Sequence, residues 1–278
     1  MSRLNAIKVF RDLLSFLTII PLAKTEDFVS ASARNMFLFP LVGGLIGLFA
    51  AGYLWASGFI LSYLLWLVSY AVQLPAGFLL QAVPAAMTLA FLLVLTGFQH
   101  FDGLVDLGNA VGLRRVEERR EIAHRWVVTY KGALLAIFVE FAAFVGLFFL
   151  NGFVALRALV VAEVAAKLAM VTIVWRGKPA HAGLGARFLG QAKRRLNAVA
   201  YMLGLVAGFA LLGLAGLLVI GVAFLFGLFM ESVGKRVFGG VSGDMIGATN
   251  EGARALALVL SAVLAALAAF LLWGALWL

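Results

Sequence analysis

His100-Phe101-Asp102-Gly103-Leu104-Val105-Asp106 sets a histidine and two carboxylates directly after the apolar run 78–98. Asp102 and Asp106 are four residues apart, so in a helix they share one face. Acids at a membrane boundary are costly to dehydrate, and their presence there needs a reason. Two carboxylates aimed at one point make a natural seat for a divalent cation that grips phosphate oxygens. The plainer alternative is a helix end in a solvated loop. His100 beside them is either a proton acceptor or a capping and packing group. His124 and His181 carry the same two readings with fewer acids around them.

Two more glycine-bearing loops have the composition to join this one. The stretch 177–185 contains Gly183 and Gly185, and the stretch 239–251 contains Gly240, Gly243, Asp244 and Asn250. Glycine turns let backbone N–H groups approach phosphate oxygens closely, so these positions are candidate substrate contacts as well as ordinary turns. Asp244 and Glu251 are seven apart and would share a face if their segment is helical. Lys131, Lys178 and Arg187 could hold phosphates or simply decorate solvated basic loops. Glu163 and Lys167 lie four apart inside an apolar run, in the favourable order for a structural ion pair. The alternative is that Lys167 reaches substrate. Glu140 has no partner close in sequence. It could pair with Lys167 or Arg157, or line a cavity.

The elements that must position these groups are membrane helices. The chain has 278 residues, 64% hydrophobic and 13% charged, with a mean hydropathy of +1.07, which fits a bundle of spanning helices rather than a water-soluble fold. The absence of cysteine excludes disulfides, cysteine-bound zinc and iron–sulfur ligation. Apart from Glu140, Arg157, Glu163 and Lys167, every charged residue falls within 1–35, 99–131, 176–197 or 231–254. Positive loops mark the cytoplasmic side, so an even number of crossings should separate consecutive stretches. This predicts helices near 37–57 and 78–98, with 59–73 as an interfacial or broken helix. Two helices between 133 and 175 break at Asn151-Gly152, and a hairpin within 198–230 turns near Gly213 to Gly216. A last helix covers 255–278. The expectation is an all-α polytopic bundle of about seven transmembrane helices, a single integral membrane domain over 1–278. An N-terminal helix at 4–20 lies on the bilayer surface. The cytoplasmic loops near 99–131, 176–197 and 231–254 form the site. The net charge of +9 follows mainly from the positive-inside bias and also favours anionic substrates or lipids. The basic residues are scattered over separate loops without a binding module, so no nucleic-acid partner is expected. The Gly43-x-x-x-Gly47 spacing allows helix association, a homo-oligomer included.

The chain resembles the cobalamin synthase family, the adenosylcobinamide-GDP ribazoletransferases. The resemblance is carried in order by Phe16-Leu17-Thr18-Ile19-Ile20-Pro21, by Phe39-Pro40-Leu41-Val42-Gly43 with Gly47, by His100-x-Asp-Gly-Leu-x-Asp, and by Gly239-Gly240-Val-Ser-Gly-Asp-x-x-Gly-Ala. Gly183-Leu184-Gly185-x-x-Phe188 adds a weaker fifth match. Two departures stand out. Where the family continues its central motif to a third aspartate and a glycine, this chain has Asn109 and Ala110. The segment Arg125 to Gly132 lacks the acid that is common there. Asn109 could still offer a carbonyl to a hard cation.

The resemblance implies that adenosylcobinamide-GDP is joined to alpha-ribazole or its 5'-phosphate, with GMP leaving. It implies Mg2+ on the diphosphate, held by Asp102, Asp106 and Asp244, and a proton acceptor among these acids or His100. Lys131, Lys167, Gly183, Gly185, Gly240, Gly243 and Asn250 are the implied substrate contacts. Two rival readings remain at this level. One is another metal-dependent membrane phosphotransferase of the CDP-alcohol type, although Leu104-Val105-Asp106-Leu107 does not supply its pattern. The other is a small transporter, to which the intramembrane charges loosely point.

Overall fold

The computed structural model describes residues 3–22, 27–123, 125, 127–192 and 194–275. Among these the chain is helical, apart from its turns and one isolated parallel bridge between Pro179 and Val241. At the N-terminus, α1 (Arg3–Leu17) and α2 (Phe28–Arg34) lead into α3 (Phe39–Val68). A second long helix, α4 (Ala76–Leu95), turns sharply into α5 (Gln99–Ala110). The short α6 (Val116–Ala123) precedes α7 (Tyr130–Phe148) and α8 (Gly152–Arg176). The chain closes with α9 (Leu184–Gln191), α10 (Asn197–Phe238) and α11 (Gly243–Ala275). Six of these helices are long and apolar enough to cross a membrane.

The sixfold count conceals a seventh pass. Gly213 breaks α10 with a positive φ of 61°. Beyond it the chain doubles back. Gly208 packs backbone to backbone against Gly216, and the ring of Tyr201 meets that of Phe224 with centroids 5.5 Å apart. Residues eight apart in a straight helix would be about 12 Å distant at 1.5 Å per residue, so α10 is a hairpin. Its arms are 197–212 and 214–238, as the glycines near 213–216 predicted. The break at Asn151-Gly152 also stands where expected, with Gly152 at φ 54°.

Two boundaries differ from the sequence reading. The segment 59–73 is not a separate broken helix; its first part extends α3 to Val68 without interruption. The apolar run offers no breaker before the Ser69 turn, and the parity argument needed only two passes. The last helix starts at Gly243 rather than 255, because Ser242 caps it by accepting the Met245 N–H at 3.3 Å. The surface helix expected at 4–20 is α1, but it also turns Leu13, Leu14 and Leu17 into the core.

The core is built on α8, where every residue from 158 to 174 is buried. A helix buried all round has neighbours on every side, here α3, α10 and α11. Small residues permit this. A Cβ on Gly43 would lie 2.5 Å from the Glu163 carbonyl oxygen, and one on Gly47 would lie 2.6 Å from Val160 Cα. The Gly43-x-x-x-Gly47 pattern therefore packs α3 on α8 within the chain, rather than serving contact with another copy. At one end of the bundle Gln81 donates to Asn151 Oδ1 at 2.9 Å. At the other end the Ile19 N–H meets the Leu95 carbonyl at 2.8 Å, and Arg119 and Arg120 cap α10 through the carbonyls of Arg236 and Phe238 at 2.9 and 2.7 Å.

Gly47→Leu should lower stability by about 1–3 kcal/mol, read as a drop in thermal midpoint in detergent. Gly52→Leu, on the same helix with nothing within 4 Å of its Cβ position, should not. Equal midpoints for the two variants would mean that α3 is not seated on α8 at Gly47.

Candidate active site

The central motif is helical. Gly97 and Phe98 both take left-handed conformations, with φ of 64° and 56°, and turn the chain from α4 into α5. From there α5 projects His100, Asp102 and Asp106, and α11 brings Asp244 to meet them. Glycine permits the approach. Any side chain on Gly103 would collide with the Asp244 backbone, and a Cβ on Gly247 would sit 3.0 Å from His100 Cα.

Asp102, Asp106 and Asp244 line one cavity of ≈ 430 Å³, closed by Val105, Ala123, Val127 and Val128. The acids are close enough to oppose one another. Burial, with the charges of Asp244 and Asp102, pushes Asp106 from the usual 3.8 up to about 7. Asp244 accepts from the Ser242 hydroxyl at 3.2 Å. Among the described residues, no three His, Asp or Glu side chains are grouped tightly enough as they stand to hold a metal ion. The donor chemistry nevertheless fits a hard divalent cation, since three carboxylates face one cavity and their mutual repulsion would be relieved by positive charge.

Asn109 does not join them as a ligand. Its Oδ1 already accepts the Thr129 N–H at 2.9 Å and the Thr129 hydroxyl at 2.8 Å. Its Nδ2 donates to the Val127 carbonyl at 2.7 Å and more weakly to Asp106 at 3.4 Å. The residue is a clamp that holds the 127–129 segment against α5.

A second cavity, of ≈ 450 Å³, opens on the other side of the same acids. Asp102 and Asp244 line both cavities, while His100 lines only this one, together with Gly185 and Gly243. Phe16 and Phe188 stack here with centroids 5.2 Å apart, and Phe39 lies 5.9 Å from Phe188. Sequence reasoning did not single out Phe16, Phe28 and Phe188 as site residues. Phe16 and Phe188 stand in the N-terminal and Gly183–Phe188 motifs, Phe28 stands in neither, and aromatic residues in an apolar chain look like core.

Beneath His100 lies a cluster of buried charge. Glu163 accepts from Arg254 at 2.5 Å and from Lys167 at 3.0 Å. Lys167 also donates to Asn250 Oδ1 at 2.8 Å, Asn250 donates to Glu251 at 3.1 Å, and Arg254 bonds Glu251 as well. All five side chains are at most 1% exposed. His100 Nδ1 points at Glu251 Oε1, 3.8 Å away, without a hydrogen-bond partner among the described residues. Burial, with the charges of Lys167 and Arg254, holds the His100 pKa well below the ordinary 6.5, so the ring is neutral. Glu140 faces Glu251 and Arg254 rather than Lys167 or Arg157.

The structure thus separates the expected substrate contacts. Gly185 and Gly243 line a cavity. Lys167 and Asn250 are committed to the buried cluster and reach neither cavity. Lys131 turns its amine to the Val111 carbonyl at 3.2 Å. Gly240 serves close packing instead of a phosphate cradle: its Cβ position lies 2.7 Å from both the Lys178 oxygen and the Ala180 nitrogen. Gly183 precedes α9, and its carbonyl accepts the Arg187 N–H at 3.0 Å. His181 bonds the Ala182 carbonyl at 3.0 Å and lines neither cavity. His124 lies outside the described residues.

Two predictions follow from these charges. The raised pKa of Asp106 means that the fold favours its protonated form. That contribution to stability is complete below about 4 and is lost as pH rises through about 7. Thermal midpoints measured in EDTA should therefore fall across this window, and Asp106→Asn should flatten the slope; an unchanged slope would assign it to another group. Arg254→Met leaves Glu163 and Glu251 short of a cation and should cost about 3–5 kcal/mol. A variant as stable as the parent would show that the cluster does not tie α11 to α8.

A family profile described as cobalamin-5-phosphate synthase matches residues 9–262. The adenosylcobinamide-GDP ribazoletransferase of Halorubrum lacusprofundi is 34% identical over 271 residues, covering 89% of this chain and 94% of that protein. The protein of the same name from Desulforamulus reducens is 33% identical, covering 86% and 89%. That of Methanosarcina mazei is 28% identical, covering 91% of each. No solved structure matches the chain. A match over nearly the full length, with the quoted motifs gathered at one end of the bundle, means that the chain belongs to the cobalamin-5-phosphate synthase family.

Proposed function

We propose that this protein joins adenosylcobinamide-GDP to alpha-ribazole or its 5'-phosphate, releasing GMP, at the cytoplasmic face of the cell membrane. The observation that carries the reading is the convergence of Asp102, Asp106 and Asp244 from two helices on one cavity, with His100 beside them. A ribose hydroxyl attacks the phosphorus bonded to cobinamide. A new P–O bond forms, the bond to the GMP phosphate breaks, and its electron pair leaves on the GMP oxygen. Such a displacement needs positioning and charge neutralisation more than covalent help from the protein. Asp102, Asp106 and Asp244 would hold Mg2+, which supplies charge neutralisation for the diphosphate when bound. His100, neutral and at the cavity wall, accepts the proton of the attacking hydroxyl. The intramembrane charges Glu163, Lys167, Glu251 and Arg254 are bonded to one another, which speaks against a transporter that would keep them for its cargo.

The test is turnover by the purified protein in nanodiscs with both substrates and magnesium. Product should form, disappear with EDTA, return with added magnesium, and fall at least about a hundredfold with Asp102→Ala. Turnover indifferent to both EDTA and Asp102→Ala would remove the acids from the chemistry.

A further inference from the structure

We propose that the two cavities divide the substrates, and that the ≈ 450 Å³ cavity between α1, α2, α5, α8, α9 and α11 is the acceptor subsite, seating the benzimidazole ring of the ribazole. This rests on the reaction proposed above. The walls are Phe16, Phe28, Val29, Met170 and Phe188, so an entering ring meets hydrocarbon and aromatic faces. The polar groups are Gln99, at the exposed start of α5, and His100, Asp102 and Asp244 toward the shared acids. The hydroxyl of Ser15 is already engaged, donating to the Ile20 carbonyl at 3.0 Å and accepting the Leu22 N–H at 2.8 Å.

Size and edge chemistry choose the occupant. A cavity of this volume takes a small nucleoside, whereas a corrin ring with its side chains and axial groups is far larger. Guanine carries donors and acceptors on several edges, which would lose water against Phe28, Val29 and Met170, and the single amide of Gln99 at the rim replaces only part of that. A benzimidazole presents C–H edges and a flat face, which suit aromatic walls. The placement also sets the ribose on the His100 side. Its hydroxyl then reaches the proton acceptor and the phosphorus held at the Asp102–Asp244 wall, while the Asp106 cavity receives the diphosphate. The phenylalanines come from three helices: Phe16 from α1, Phe28 from α2, and, far along the chain, Phe188 from α9.

The experiment measures equilibrium binding of alpha-ribazole to the full chain in nanodiscs, and separately the KM for each substrate. Three variants with thermal midpoints matched to the parent are compared: Phe28→Ala removes one wall, Phe28→Tyr keeps the ring, and Val29→Trp fills the space from α2. Phe28→Ala and Val29→Trp should weaken alpha-ribazole binding and raise its KM by about tenfold or more. The KM for adenosylcobinamide-GDP should stay within about twofold, and Phe28→Tyr should restore the parent values. A rise confined to adenosylcobinamide-GDP, or unchanged ribazole binding in both disruptive variants, would overturn the assignment. If the parent binds alpha-ribazole through Phe28 but makes no product, the reaction fails and the subsite stands.

Discussion

The buried ion cluster between α8 and α11 is the constraint on which the site depends. Glu163 and Lys167 lie on the most enclosed helix of the bundle, and Asn250, Glu251 and Arg254 lie on α11. Charges at this depth are tolerable only when mutually satisfied. A rotation of α11 by one residue would turn Arg254 and Asn250 away from Glu163 and Lys167, leaving uncompensated charge on both helices. The cluster therefore fixes α11 about its axis. Asp244, Gly247 and Glu251 lie along one side of that helix at spacings of three and four. Once Glu251 is held, Gly247 is turned to His100 and Asp244 to the cavity. A polar network in the interior thus sets the rotation of an acid two turns away at the bundle's end.

Close backbone approach does the rest. Gly103 lies against Asp244, Gly247 against His100, Gly185 against the Ser242–Gly243 backbone, and Gly240 against Lys178 and Ala180. Each contact joins segments distant in sequence, and a methyl group at any of them would push the segments apart. The Val241 N–H bonds the Lys178 carbonyl at 2.8 Å and the Ala180 N–H bonds the Val241 carbonyl at 3.1 Å, which ties the loops after α8 and α10 together. These glycines shape the site by admitting the protein's own backbone. That explains why a glycine-rich sequence need not be a phosphate cradle.

Much of this was legible because the bilayer imposes simple rules. Charge grouped into four stretches, with apolar runs between them, located the helices, the hairpin at Gly213 and the end at which the site lies. Helical spacing put Asp102 and Asp106 on one face. Three things were not legible. The extension of α3 to Val68 was hidden because a uniformly apolar run carries no boundary until the turn. The Glu163 partner of Lys167 was legible from the spacing of four, but Asn250 was hidden because it lies 83 residues away, and only tertiary packing brings them together. The aromatic cavity was hidden because Phe16, Phe28 and Phe188 are indistinguishable from core in a chain that is 64% hydrophobic.

Asn109 shows how the site balances charge against order. A carboxylate there could accept from Thr129 as the amide does, but it could not donate to the Val127 carbonyl or to Asp106. It would also bring a fourth negative charge to a group in which Asp106 is already pushed up to about 7 by burial and by Asp244 and Asp102. The amide removes that charge and uses its two donors to hold the cavity wall at 127–129. The missing acid is then not simply a lost ligand. With Asn109 neutral, Asp102, Asp106 and Asp244 carry the whole negative charge of the cavity, and what they gather must be matched to three carboxylates instead of four.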